Sequence, residues 1–378
     1  MSGARRPPPS FTRSPHLVAY WRGDAFVVHN YATGAVAEAT ALVRSLLDFC
    51  GRRRSPSAIR RFVGPADPAS VDRLLQRLVT LSFLHRSDRP LDPRENAMRA
   101  FARWNPVAGF FHTATKDVRF QSPAAARRAM DAQARTWPMP SPRKRYRAAP
   151  VVRLPAPDLR HPLADVLRSR RTWRRFARAP VTRDELATVL GLTMGVQQWV
   201  TAGGAELPLK TFPSGGARHP IEAYLLVRDV RGLRPGIYHY AADGHLLERL
   251  PGRASAARIR AYLPHSGYFA GASCLVLFTA VFERQLWRYP YARAYRAALV
   301  EAGHACQNFC LVATALRLAP FSVMGLADST IERDLRLDGV GETVLYAAGV
   351  GRPPAGSSWA PVTHGALPVR RNPALSPR

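Results

Sequence analysis

From Ala292 to Leu318 the chain reads ARAYRAALVEAGHACQNFCLVATALRL, an alanine-rich run with helical spacing that is apolar on most of its sides. A helix with one apolar stripe can lie on a surface, but one that is apolar nearly all round has to be enclosed. The rest of the chain must supply the walls. IEAYLLVRD from Ile221 and SCLVLFTAVF from Ser273 are continuous apolar runs rich in β-branched and aromatic residues, and read as strands. GIYHYAADGHLLERL, from Gly236, reads as a hairpin turning at Asp243-Gly244, and ETVLYAAGVGRP, from Glu342, as a strand ending in glycine. Thr182 and Glu185 form a T-x-x-E capping box for a helix through DELATVLGLTMGVQQW. Strands and helices mix without regular βαβ alternation, so the fold class is α+β. No G-x-G-x-x-G follows a strand, which argues against a Rossmann dinucleotide site.

The organisation upstream is different. Residues 1–16 read as a disordered leader rich in Pro and Arg, and 17–90 as a small unit. In that unit HLVAYWRGDAFVVHNY gives two short strands around an Arg-Gly-Asp turn. AVAEATALVRSLLDFCG has helical spacing and stops at Gly51, and SPSAIRRFVG and DPASVDRLLQRLVTLSFLHR add two more helices, the last opened by Asp67 with Pro68 in its first turn. Helices followed by a short strand predict a winged-helix-like module, a type that binds nucleic acid, peptides or its own dimer partner. Residues 91–160 read as a linker and connecting segment, with TWPMPSPRKRYRAAPVVRLPAPDLRHP its clearest part; 161–360 form the larger domain and 361–378 a C-terminal tail.

At 378 residues and 47% hydrophobic the chain can bury one or two cores. Its net charge of +29 is almost all arginine, with Lys116, Lys144 and Lys210 the only lysines among 55 basic residues. Such a skew reflects coding bias as much as function, although a basic face would attract an acidic peptide, an acidic carrier protein or nucleic acid. No recognised reader motif accompanies the charge, so nucleic acid is not the expected partner. Four cysteines are too few for a disulfide scaffold, and Cys306 and Cys310, without a CxxC pair, read as buried thiols rather than metal ligands. MSGARRPPPSFTRSPH lacks the apolar core of a signal peptide and no run approaches a membrane span, which predicts a cytoplasmic location.

Three segments of the larger domain look like ligand contacts. In RSRRTWRRF, residues 168–176, Arg170, Thr172 and Arg174 alternate, so an extended backbone puts two guanidiniums and a hydroxyl on one face, suited to phosphate oxygens. In FPSGGARHPIEAYLLV, residues 212–227, Gly215 and Gly216 have no Cβ and can let another molecule approach the backbone, while Ser214 and Arg218 offer polar groups; a tight loop entering a strand is the plain alternative. In GVGRP, Arg352 follows two glycines at a strand end. Together they describe a site for a phosphorylated planar ligand.

In this order, R-R-T-W-R-R-F, P-S-G-G-A-R-H-P-I-E-A-Y, G-I-Y-H-Y, A-G-H-A-C-Q-N-F and G-V-G-R-P resemble the nitroreductase-like flavoprotein superfamily. More narrowly, the chain resembles its SagB-type, or McbC-like, dehydrogenases, which oxidise thiazolines and oxazolines in peptide natural products. The resemblance covers about residues 150 to 355. It implies a nitroreductase-like fold, a mainly antiparallel sheet packed by helices, with FMN at a homodimer interface and each site built from both chains. Carried over, Arg170, Thr172, Arg174 and Arg352 hold the FMN phosphate. Pro213, Ser214, Gly215 and Gly216 lie against the isoalloxazine with Arg218 close by, and Met324, Gly325 and Leu326 sit near flavin N5. Gln307 and Asn308 are implied interface or supporting residues, with helix packing as the alternative.

The resemblance also implies a two-electron dehydrogenation of an azoline on a peptide or carrier protein, oxygen reoxidising the flavin, with a cyclodehydratase as a further partner. The family carries a Lys-Tyr pair for the proton step. Here Tyr289 fits the tyrosine, with Tyr291 and Tyr295 as substitutes, but Arg288 holds the lysine position. An arginine stays protonated and cannot act as a general base, so its expected role is to acidify Tyr289. Two other readings stand beside this one: another nitroreductase-like oxidoreductase driven by NAD(P)H, and a non-catalytic peptide- or nucleic-acid-binding protein on a degenerate scaffold.

Overall fold

Segments far apart in the chain are brought together in two units, described here from a computed structural model that covers residues 8–101, 103–117, 122–136, 162–202 and 205–357. The proline- and arginine-rich stretch from 137 to 161 and the tail expected at 361–378 lie outside the described residues, as do the first seven residues of the expected leader.

The first unit comprises Met1–Lys116, Phe282–Arg296 and Val340–Glu342. Its strands are β1 (Phe11–Arg13), β2 (Leu17–Arg22), β3 (Ala25–Asn30) and β4 (Ala35–Glu38). β2, β3 and β4 form an antiparallel meander, and β1 pairs with β5 (Leu84–Arg86). Between them run α1 (Ala41–Phe49), α2 (Pro56–Val63) and α3 (Pro68–Thr80). Each helix starts where the side chain of Thr40, Ser55 or Asp67 accepts a first-turn N–H. Phe11, Val28, Leu46, Ile59, Leu75 and Phe83 close the core.

Three expectations change here. The leader is not disordered up to residue 16, because Phe11 is buried and β1 is paired. AVAE is a strand rather than the start of a helix: β3 offers it a ladder, and Thr40 caps the helix only afterwards. The segment expected to be linker contains α4 (Pro93–Ala97) and α5 (Pro106–Ala114). Glu95 of α4 is 3% exposed and accepts from Ser14, from Asn30 at 2.9 Å and from the His85 ring at 2.6 Å. A buried carboxylate with three partners fixes the segment firmly.

The second unit comprises Asp117–Val281, Ala297–Gly339 and Thr343–Arg378. After α6 (Pro123–Thr136), α7 (Pro162–Ser169) and the short β6 (Val181–Thr182) comes α8 (Arg183–Met194). The Thr182/Glu185 capping box forms as expected, but the helix stops at Gly195 and VQQW belongs to β7 (Val196–Ala202), paired with β8 (Ala205–Lys210). Then follow β9 (Ile221–Val227), β10 (Val230–Arg231), β11 (Gly236–Ala241), β12 (Leu246–Leu250), α9 (Ala256–Tyr262) and β13 (Cys274–Val281); the chain next forms α10 (Phe282–Arg288), which belongs to the first unit, and then α11 (Ala294–Ala315), β14 (Ala319–Val323), α12 (Asp328–Leu335) and β15 (Glu342–Gly351). One six-stranded sheet runs in the order β12-β11-β9-β13-β15-β14. Its pairs β12–β11, β11–β9, β9–β13 and β15–β14 are antiparallel. β13, buried along seven of its eight residues, is central, as a run without polar alternation requires. α11 buries Ala298, Ala302, Ala305, Phe309 and Ala313, and leaves Leu299, Val300, His304 and Gln307 exposed.

Candidate functional site

The segment from Arg170 to Ala177 is extended and is tied at two points: Trp173 N–H donates to Pro320 O and Ala177 N–H to Arg352 O, both at 2.9 Å. Its alternation is real. Arg171 and Trp173 are buried, with the Arg171 guanidinium 4.1 Å over the Trp173 ring, while Arg170, Thr172 and Arg174 share the other, half-buried side. Nε of Arg174 is buried and has no hydrogen-bond partner among the described residues. A buried guanidinium nitrogen left this way costs free energy unless an acceptor arrives.

The P-S-G-G loop is held from beneath by α11. Gly215 N–H donates to Oε1 of Glu301 at 3.3 Å, and the Asn308 amide donates to Thr211 O at 3.3 Å. Within the loop His219 N–H donates to Oγ of Ser214 at 2.9 Å, and the His219 ring stands edge-on to Phe212 at 5.1 Å. Gly216, Ala217 and His219 all have positive φ, of 61°, 53° and 41°. The loop spends most of its N–H groups on its own fold: Ala217 N–H donates to Ser214 O at 3.2 Å and Arg218 N–H to Gly215 O at 3.4 Å. Pro213, Gly215 and Gly216 are exposed, and Arg218 is half-buried. The loop is thus anchored on one side and open on the other. Glu301, 3% exposed, escaped sequence reasoning. The only clue was an acid in an apolar helix.

α11 also links this loop to the arginine segment. Cys306 and Cys310 are hydrogen-bonded thiols. The bond from Cys306 draws Cys310 below the usual thiol range, with burial opposing and the Arg170 charge assisting. The Arg170 charge is thus felt at the helix that carries Glu301 and Asn308. Met324 and Gly325 follow β14, Met324 being 69% exposed and Leu326 buried.

Arg352 has other work. Its Nη1 and Nη2 hold both carboxylate oxygens of Glu185, at 2.8 and 2.7 Å, and its Nε donates to Pro180 O at 3.1 Å. Burial disfavours the ionised Glu185, but the Thr182 N–H and hydroxyl and the Arg352 fork outweigh it and hold that carboxyl below the usual range. The expected phosphate ligand is a clip between the end of β15 and the start of α8. The glycines before it serve packing. A Cβ on Gly349 would fall 2.3 Å from the Phe321 ring, and one on Gly351 2.7 Å from Phe176.

The expected proton-transfer residues belong to the first unit. Tyr289 is half-buried, and the Arg288 guanidinium lies 5.8 Å from its ring centroid. Tyr291 is 53% exposed, with its ring 5.9 Å from that of Tyr289. Tyr295 does not suit the substitute role. It is buried among Phe101, Trp104 and Phe282, and its hydroxyl is 3.0 Å from Nδ1 of the buried His112.

The nitroreductase family model matches residues 167–352. A nitroreductase homologue from Methanocaldococcus jannaschii is 33% identical over 175 residues, covering 46% of this chain and 84% of that protein. The trifolitoxin-processing protein TfxB of Rhizobium leguminosarum bv. trifolii is 33% identical over 143 residues, which is 36% of this chain and 38% of TfxB. The microcin B17-processing protein McbC of Escherichia coli is 31% identical over 134 residues, 34% of this chain and 49% of McbC. The chain thus spans half or less of those two peptide-processing relatives. Among solved structures, the E. coli microcin synthetase McbBCD complex with truncated pro-MccB17 bound contains a chain that matches with a TM-score of 0.50 at 21% identity, over 70% of this chain and 95% of that one, a likeness of fold. With the mainly antiparallel six-stranded sheet, the half-exposed α11 and the anchored P-S-G-G loop, these matches make the chain a member of the nitroreductase family of flavin-dependent oxidoreductases, with McbC among its relatives.

Proposed function

We propose that this protein is an FMN-dependent dehydrogenase that oxidises azolines to azoles on a peptide or carrier-bound intermediate. The observation that carries the cofactor reading is Arg174: a buried guanidinium nitrogen without a partner among the described residues, on the face it shares with Arg170 and Thr172. Those three side chains would hold the phosphate. Pro213, Ser214, Gly215 and Gly216 would border the ring system, with Arg218, Met324, Gly325 and Leu326 around it. FMN, when bound, supplies the two-electron acceptor. The protein's part is to hold it. Glu301 and Asn308 fix the loop that would meet the ring, and Arg352 with Glu185 fixes the strand end and helix start beside Ala177. Tyr289 takes up the substrate proton, with the Arg288 guanidinium 5.8 Å from its ring centroid.

The substrate class rests on likeness to TfxB and McbC, both named for peptide processing. A homodimer is supported by α11. Gly303 lies mid-helix, where glycine costs about 1 kcal/mol against alanine, yet a Cβ there would meet nothing within 4 Å. It sits with exposed Leu299, Val300 and His304, as a face meant to receive a second copy would. A cyclodehydratase partner is in keeping with the likeness to a chain that works inside a multi-protein synthetase, McbBCD. A cytoplasmic location fits four free cysteines, and among the described residues no helix is long and apolar enough to cross a membrane.

The test is the absorption spectrum of the purified protein, followed by turnover of a thiazoline peptide under air. Expected are release of about one FMN per chain, azole formation, and retention of flavin without turnover in Tyr289→Phe. Rapid bleaching of the flavin by NADPH, with no azole formed, would move the protein to the NAD(P)H-driven oxidoreductases. A colourless protein that takes up no FMN would overturn the cofactor reading as well.

A further inference from the structure

On α8 and the β11–β12 hairpin the second unit has a cavity of about 380 Å³ that the flavin reading does not use. Leu186, Ala187 and Leu190 of α8 make one wall, Leu247 faces it, and Tyr240 and His245 supply the polar groups. Its size falls within the range of small-ligand pockets, roughly 300–1,000 Å³.

Two features give the cavity a built character. His245 has φ of 48°, left-handed backbone that histidine tolerates but that glycine or asparagine would take more easily. Its ring lies so close to α8 that a Cβ on Gly191 would fall 3.0 Å from Cε1, so the helix is notched to admit it. The Tyr240 hydroxyl is 2.7 Å from Nδ1 of His245. Tyr240 is 1% exposed, and burial pushes its phenol up to about 12. With the Tyr240 hydroxyl as the donor to Nδ1, the ring N–H sits on Nε2. Nε2 has no hydrogen-bond partner among the described residues. The cavity therefore combines leucine walls with a histidine ring nitrogen, Nε2, open to a ligand.

We infer that this cavity binds a small molecule with one aromatic ring and one hydrogen-bond acceptor, the ring between Leu190 and Leu247 and the acceptor on His245. The ligand is neutral or weakly anionic: Arg183 stands at the rim, but Asp184 stands beside it. This inference does not depend on the flavin reading.

Benzamide and toluene serve as probes, the same ring with and without an acceptor, titrated into the full chain and followed by saturation-transfer NMR. Wild type should bind benzamide about tenfold more tightly than toluene, the worth of one hydrogen bond. His245→Gly keeps the left-handed turn and removes the donor, so the preference should vanish while toluene binds as before. Ala187→Phe should fill the cavity and abolish both. Failure of wild type to bind either probe saturably would overturn the inference. So would an unchanged benzamide preference in His245→Gly, whose folding the turn protects. Loss of melting cooperativity in Ala187→Phe would leave the histidine arm to decide.

Discussion

Replacing Arg352 with alanine separates the two roles open to that residue. Its side chain is 28% exposed and that of Glu185 is 24%, so the pair lies between an exposed ion pair, worth about 0–1 kcal/mol, and a fully buried one, whose breaking costs about 3–5 kcal/mol. Truncation removes a two-pronged contact and the bond to Pro180 O, while Thr182 still serves the carboxylate. The expected loss is about 2 kcal/mol, or roughly 4–8 °C of melting temperature for a folding unit of about 150–250 residues such as the second. The pH dependence follows from the depressed Glu185 carboxyl. Its contribution is present above the unfolded value near 4.3 and is lost as pH falls through the folded value, so the gap between wild type and variant should be full at pH 7 and close toward pH 3. In a Glu185→Ala background the same substitution should cost under about 0.5 kcal/mol. Melting is followed by circular dichroism, and FMN affinity by fluorescence titration. An unchanged melting temperature together with a hundredfold loss of FMN affinity would refute the reasoning and return Arg352 to the phosphate.

Other outcomes follow from single contacts. Gly349→Ala should destabilise by about 3 kcal/mol, because its Cβ would fall 2.3 Å from the Phe321 ring and 2.8 Å from a backbone oxygen; a melting temperature like that of wild type would show that the strands can part. Gly303→Ala should stabilise an isolated chain by up to about 1 kcal/mol but weaken a dimer packed on that face, read by sedimentation across concentrations. His239 is held by Glu222 at 3.1 Å and Glu248 at 2.8 Å; the Glu222 bond raises its pKa, burial opposes, and the Glu248 bond adds to the rise. That stability is full below about 6.5 and lost as pH rises through the folded value, so His239→Gln should flatten the fall in melting temperature on the alkaline side. α12 has no cap from Ala327. Instead Asp117 accepts Ser329 N–H at 3.0 Å, and Asp117→Ala should cost about 1 kcal/mol, seen as faster hydrogen exchange in α12.

What could be read from the sequence was local. The capping box at Thr182 and Glu185 spans one helical turn, and the Asp243-Gly244 hairpin closes within a few residues, so both formed as expected. The alternation at 170–174 is a property of extended backbone, and it correctly separated buried Arg171 and Trp173 from their neighbours. The order of motifs was enough to reach the family. The tertiary structure decided the partners. Arg352 meets Glu185 across 167 residues, Asp117 caps a helix 212 residues away, and Tyr295 finds His112 across 183. A guanidinium or carboxylate in the sequence has many possible mates, and loop closure and burial choose among them. The same holds for AVAE, whose spacing allowed a helix until the edge of β3 offered it a ladder. Chain-local geometry is written in neighbouring residues, whereas the identity of a buried contact exists only once distant segments have packed.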